Sequence, residues 1–265
     1  MLIHKRPIGT VAYLGGVPAL LEKFSWAFLN MALYSNEYLC SHNSSNATYI
    51  NYDRSKVSAH AKARNELVQS MKGNWLLQLD TDHEPPPDLL ARMLNLLNKY
   101  NIEVLVGIYQ VRKYPYPPLL YQWSEDHTEF ELMASFDNPN KAEIFQVAAA
   151  GGGCLLVRRN VFYRIITELK CMPFDIMIHP TNNKPLSEDL SFFYRCRTLE
   201  IPCFAAANIE SPHLDIIPIT LEANRSATDD GFASENKIVE GYKIPMPTFK
   251  DFTHGTTVTE QERIE

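Results

Sequence analysis

Short apolar runs alternate with longer amphipathic stretches through the first 110 residues, and few folds accommodate that alternation. Residues 8–14 read as a strand. Residues 18–33 read as a helix, with Leu21, Phe24, Phe28 and Met31 on one face. A short strand at 48–52 and a helix at 58–71 follow, the helix aligning Ala59, Ala63, Leu67 and Met71. Residues 75–79 form an apolar run broken only by Gln78, as a strand buried on both faces should. Pro85 to Pro87 then open a helix with Leu90, Met93, Leu94 and Leu97 inward, and 104–109 is another strand. A β-α-β-α-β-α-β order calls for a largely parallel sheet with right-handed crossovers, that is, an α/β fold.

The pattern changes after Gln110. Residues 111–150 are rich in Tyr, Pro and Trp, with short strand-like pieces around 119–123 and 130–133. Residues 148–157 return to a buried run, 160–169 and 187–199 read as helices, and 202–207 reads as a final strand. One domain over 1–223 is expected, its nucleotide-binding half at 1–110 and its acceptor-binding half at 111–223. The polar stretch 224–265 is expected to be a flexible loop and tail.

The sharpest chemical signal ends the run at 75–79. Asp80 and Asp82 are two residues apart at the carboxyl end of a buried strand, where period two leans them to one side. Ligands of open α/β sheets bind beyond that end. Paired carboxylates there suit Mn2+ or Mg2+, which also takes diphosphate oxygens. The competing role, capping the next helix, accounts for at most one of them, because Pro85-Pro86-Pro87 intervenes. Three further features are individually weak. Ser187-Glu188-Asp189 opens a helix, which suits dipole complementation as well as proton transfer. Gly151-Gly152-Gly153 interrupts an apolar run, which signals close approach of a ligand or of backbone. His213 follows the last strand, where a lone histidine is more often structural.

Composition narrows the partners. The net charge of −6 over 265 residues disfavours a general polyanion binder. Cys40, Cys154, Cys171, Cys196 and Cys203 make an odd set without a CxxC, which reads as reduced thiols in a cytoplasmic, soluble protein. No apolar run approaches the roughly 20 residues of a membrane span, and the apolar stretch 8–21 reads as a strand and a Gly-rich loop rather than a signal peptide.

Together these motifs resemble the GT-A glycosyltransferases, family 2-like members in particular, over about residues 7–215. Asp80-Thr81-Asp82 matches their DxD, and Ala63-Arg64-Asn65 their ARN element. Residues 151–159 are similar to GxGxLLxRR, and Glu188-Asp189 with Phe192 and Arg195 to the ED motif. The resemblance implies a GT-A fold, a nucleotide-diphosphate sugar donor and transfer to an acceptor hydroxyl. It also implies roles. Asp82 and His213 would ligate the metal, and Asp80 would contact the nucleotide ribose, or the metal through water. Tyr13, Asp53 and Arg64 would line the nucleotide site, and Gly152 and Gly153 the sugar or acceptor subsite. Asp189 would be the base of an inverting reaction, supported by Glu188. Both inverting and retaining enzymes use this fold, and the sequence does not choose between them. The expected acceptor is a carbohydrate or small hydroxylated molecule, with a modified DNA base as a lesser option. Two alternatives were weighed. A haloacid-dehalogenase-type phosphotransferase also uses a strand-end DxD, but Glu84 and prolines follow here and no later Gly-Asp pair appears. A non-catalytic nucleotide-sugar-binding module would have no reason to keep the carboxylates.

Overall fold

The computed structural model describes residues 6–15, 22–40, 48–57, 59–136 and 141–214. The expected tail at 224–265 and the start of the first helix lie outside these residues. Ten strands and five helices are described. They are β1 (Arg6–Tyr13), α1 (Glu22–Cys40), β2 (Thr48–Arg54), α2 (His60–Ser70), β3 (Trp75–Leu79), α3 (Leu89–Lys99), β4 (Val104–Ile108), β5 (Leu120–Trp123), β6 (Phe130–Leu132), β7 (Ile144–Val147), β8 (Ala149–Ala150), β9 (Cys154–Arg158), α4 (Arg159–Glu168), α5 (Glu188–Thr198) and β10 (Cys203–Glu210).

Seven strands form one sheet in the order β2-β1-β3-β9-β4-β10-β7. β2, β1 and β3 pair in parallel, as do β4 and β10. β9 runs antiparallel between β3 and β4, and β7 runs antiparallel along β10. A second sheet, β6-β5-β8, is wholly antiparallel. The fold is therefore the expected GT-A α/β architecture with a small antiparallel element. The run at 148–157, read as one segment, is divided between the sheets: Ala149 and Ala150 pair with β5, and the chain crosses into β9 after the three glycines. β7 was not anticipated.

Alternation along the central strands builds a core on each face. Leu76 of β3, Val104 and Val106 of β4, and Leu155 and Val157 of β9 pack with Phe162, Phe174 and Phe192 under α2, α4 and α5. Leu77 and Leu79, Leu105, and Cys154 and Leu156 pack on the other face with Phe24, Met31, Leu90 and Met93 from α1 and α3. Gln78 has the parity of Leu76, so the one polar residue of β3 faces α2. β9 begins where its neighbours β3 and β4 end, since Cys154 pairs with Leu79. The glycines therefore lie at the same rim as the carboxyl ends of β1, β3 and β4.

Leu156 stands between Leu77 and Leu105 in the ladder and is fully buried. Leu156→Ala is expected to cost about 2–5 kcal/mol, the range for emptying a well-packed leucine site. Urea unfolding should report the loss, with ligand binding unchanged below the transition.

Candidate functional site

Asp80, Asp82, Arg64, Gly152, Glu188, Asp189 and His213 all line one cleft of about 280 Å³ at the carboxyl rim of the sheet. They come from α2, from the turn after β3, from the turn before β9, from the start of α5 and from the chain after β10. Leu14, Gly15, His60, Thr81, Tyr109, Arg112 and Leu119 complete the wall. Tyr13 and Asp53 end adjacent strands at this rim but do not line the cleft. The Tyr13 ring packs edge-on against Phe24 and Phe28 at 5.5 and 5.2 Å, and the Asp53 carboxylate accepts the Arg54 N–H at 2.8 Å.

Arg64 is the buried cation of the site. Its side chain is 3% exposed, and its Nη2 donates to both oxygens of Asp80 at 3.0 and 3.2 Å. Nη1 donates to the Gly152 carbonyl at 2.8 Å and to Gln78 Oε1 at 3.3 Å, and Nε to Glu188 Oε1 at 3.4 Å. Burial opposes ionisation of Asp80, but the charge of Arg64, aided by His83, His60 and His213, holds its carboxyl below the ordinary value. Gly152 has no alternative here, because a Cβ would stand 2.7 Å from the guanidinium carbon.

The two aspartates do not share a direction. β3 ends at Leu79 and a turn covers Thr81 and Asp82, so period two stops before the second carboxylate. Asp82 Oδ2 accepts from Arg112 Nη2 at 2.8 Å, while Oδ1 is buried without a partner among the described residues and lies 3.8 Å from His213 Nε2. His213 Nδ1 is 2.7 Å from the Gln110 carbonyl. A carbonyl only accepts, so Nδ1 carries a proton, and in the neutral ring Nε2 is the lone-pair nitrogen on the side of Asp82. Among the described residues one cluster could hold a metal ion, formed by Asp82, His83 and His213. Asp80, expected at the ribose or at the metal through water, is outside this cluster and accepts hydrogen bonds from Arg64 on both oxygens. An orphaned carboxylate oxygen beside an imidazole lone pair suits a divalent cation.

His83 was missed in the sequence. It is fully buried, with Nδ1 3.0 Å from Ser211 Oγ and its ring edge-on to Tyr109 at 4.5 Å. Burial, and next the neighbouring His213, push its pKa down to about 3. A Cβ on Gly153 would stand 2.5 Å from its Nε2, so the glycine gives the ring its place. Tyr109 donates no proton readily: burial, then the charges of Asp80 and Asp189, raise its pKa well above the ordinary value. Its hydroxyl oxygen accepts the Gly153 N–H at 2.9 Å.

Glu188 and Asp189 form the first turn of α5. Ser187 makes no side-chain cap, and its hydroxyl donates to Asp189 Oδ1, which also accepts the Leu190 N–H at 2.8 Å. Both carboxylates line the cleft, and Glu188 is also paired with Arg64 at 3.4 Å.

The family model described as glycosyl transferase family 2 matches residues 38–166. No curated protein matches the chain. Among solved structures, GalNAc-T7 with UDP, GalNAc and Mn2+ is similar over 79% of this chain at 13% identity and a TM-score of 0.50, and this chain spans 43% of that one. A197 from STIV matches over 79% of this chain and 86% of its own at 14% identity and a TM-score of 0.41. No helix among the described residues is long and apolar enough to cross a membrane.

Removing Asp80 strands a buried guanidinium that Glu188 compensates only in part. Asp80→Ala should cost about 3 kcal/mol, the low end of the range for breaking a buried pair from one side. Asp82→Asn removes only a pair with the half-exposed Arg112 and should cost less than about 1 kcal/mol. Equal losses in urea denaturation would contradict this division.

Proposed function

We propose that this chain, which matches the glycosyl transferase family 2 model over residues 38–166, moves a sugar from a nucleotide-diphosphate donor to an acceptor hydroxyl in a cation-dependent reaction. The carrying observation is one cleft in which the unpaired Asp82 Oδ1 and His213 Nε2 stand 3.8 Å apart in a cluster able to hold a metal ion, while Asp189 lines the wall. GalNAc-T7, of similar fold, is described with UDP, GalNAc and Mn2+, which supports the donor class and the cation.

Asp82 Oδ1 and His213 Nε2 would hold Mn2+ or Mg2+, whose charge there would offset that of the departing diphosphate. Arg112, on the cleft wall and paired with Asp82 Oδ2, would add its charge beside the diphosphate oxygens. Arg64 does not move. Its guanidinium sets Asp80, whose side chain keeps 24% exposure for the ribose, and it also fixes Glu188. Tyr13 and Asp53 stand at or next to the ends of the adjacent strands β1 and β2 and are read as the nucleotide side, and Gly152, which lines the cleft, is read with Gly153 as the sugar or acceptor subsite. Asp189 takes the acceptor proton in an inverting reaction, with Glu188 holding the start of α5 in place. A phosphotransferase of the haloacid-dehalogenase type would need the Asp80 carboxylate free to attack phosphorus, but Arg64 hydrogen-bonds both its oxygens.

The acceptor is read as a carbohydrate or small hydroxylated molecule. A modified DNA base would require binding that falls steeply with salt. Protein function is assigned to a soluble, cytoplasmic setting on the cysteine pattern.

Thermal shift across a panel of nucleotide sugars with and without Mn2+ tests the donor, since a ligand of the folded state alone raises the midpoint. Asp82→Asn should abolish the Mn2+-dependent part of that shift. Full donor binding in the variant or in excess chelator would refute the cation assignment.

Asp189→Asn is expected to lower kcat by roughly 10²-fold or more with donor affinity nearly unchanged, because the loss falls on proton transfer. An active variant would instead favour retention, which needs no such base.

A further inference from the structure

We propose that His83 is a third direct ligand of the cation, giving a site of two imidazole nitrogens and one carboxylate oxygen that favours Mn2+ and Zn2+ over Mg2+. The proposal rests on the cation reading above and adds to it a residue and a preference.

Three observations converge. First, His83 Nε2 and Asp82 Oδ1 are both buried without a partner among the described residues. A buried polar atom left unpaired is costly, and two together call for a common partner. Second, the atoms that Asp82, His83 and His213 offer lie within 4.8 Å of one another. Tetrahedral ligands of one ion at roughly 2.1 Å stand about 3.4 Å apart, so side-chain movements of roughly an ångström or slightly more close the set. Third, each ligand is held from behind. Ser211 Oγ meets His83 Nδ1 at 3.0 Å, the Gln110 carbonyl meets His213 Nδ1 at 2.7 Å, and Arg112 holds Asp82 Oδ2 at 2.8 Å. Outer partners of this kind fix ring orientation in metal sites.

The backbone sets the spacing. His83 and His213 face each other in an antiparallel bridge, flanked by Leu214 N–H to Asp82 O at 2.6 Å and Glu84 N–H to Pro212 O at 2.9 Å. The ring centroids are 4.6 Å apart. Such a bridge ties the segment after β3 to the segment after β10, so the ligands arrive from two strands already in register.

The ligand types decide the preference. Mg2+ seeks an oxygen shell and gives up water reluctantly, whereas imidazole nitrogens suit later divalent metals. A site of one aspartate and one histidine would distinguish them less. The competing role for His83 is purely structural: a ring packed on Tyr109 and tied to Ser211.

Titration calorimetry on the full chain with MnCl2, ZnCl2 and MgCl2 alone, without donor, separates these roles. Wild-type protein should bind Zn2+ and Mn2+ at least roughly tenfold more tightly than Mg2+. His83→Gln should weaken Zn2+ by about tenfold or more, leave Mg2+ nearly unchanged, and shift the visible absorption band of bound Co2+. Ser211→Ala, which keeps the ring but frees its Nδ1, should weaken Zn2+ in the same direction. A folded His83→Gln variant with unaltered Zn2+ affinity and Co2+ spectrum overturns the proposal. If that variant does not fold, the 15N resonance of His83 Nε2 in wild type decides: a metal-bound shift on adding Zn2+ supports ligation, and an unmoved resonance overturns it. Wild type that binds none of these cations would remove the cation reading itself. Binding without His83 would remove only this addition.

Discussion

A cation held almost entirely out of water organises this molecule's rim. Arg64 reaches from α2 across the sheet to Asp80 after β3, to Gln78 within it, to the backbone of Gly152 and to Glu188 at the head of α5. Burying a guanidinium is expensive, and its ion pairs return that cost only when the geometry is good. The return here is positional. Asp80 and Gln78 come from the first half of the chain, and Gly152 and Glu188 from the second, so one charge fixes the two halves against each other. Any tilt of α5 relative to β3 would lengthen bonds to a group that has no solvent to turn to.

That arrangement gives the Asp80-Thr81-Asp82 triplet two separate electrostatic settings. Asp80 belongs to the interior, with its charge already balanced by Arg64. Asp82 belongs to the cleft, balanced only by the half-exposed Arg112 on one oxygen. The division follows from the length of β3. Ending at Leu79, the strand leaves the first carboxylate on the α2 face and hands the second to a turn, which points it toward the segment after β10. A strand two residues longer would have placed both carboxylates under α2 and left His213 without an anionic neighbour.

The parts legible in the sequence were those governed by local periodicity. β3 and α3 could be read because their apolar positions recur at strand and helix spacing, and Asp80, Asp82 and Glu188-Asp189 because carboxylates end strands and open helices at recognisable places. β7 and the antiparallel insertion of β9 could not be read, since pairing between residues such as Leu79 and Cys154 is a non-local fact. His83 was hidden for a related reason. It directly follows the acidic triplet and looks like a loop residue until the bridge to His213 buries it. Arg112 lay in a Tyr- and Pro-rich stretch with no periodic signal. Tyr13 and Asp53 were expected to line the nucleotide site; they stand at or next to the ends of β1 and β2, but a strand end fixes which rim a residue occupies, not whether its side chain faces the cleft or packs sideways as Tyr13 does on Phe24.

The glycine run carries more information than its conformational freedom suggests. In the sequence it signalled only close approach. In the structure each glycine makes room for a different side chain. A Cβ at Gly151 would stand 2.0 Å from the Tyr109 hydroxyl, at Gly152 2.7 Å from the Arg64 guanidinium carbon, and at Gly153 2.5 Å from His83 Nε2. None of the three has a positive φ, so the requirement is space and not backbone strain. The same turn also gives hydrogen bonds to the elements it clears. Gly152 offers its carbonyl to Arg64, Gly153 its N–H to Tyr109, and the Gly153 carbonyl accepts from Asp80 N–H at 3.0 Å. Removing side chains at three consecutive positions thus lets the backbone act as a polar wall. It contacts the interior cation, the aromatic ring and the buried histidine from one side, and β9 then continues between β3 and β4. An antiparallel strand in the middle of a mostly parallel sheet follows from this placement. Only a strand running against its neighbours begins at their carboxyl ends, and only there can its leading turn reach Arg64, Tyr109 and His83 together.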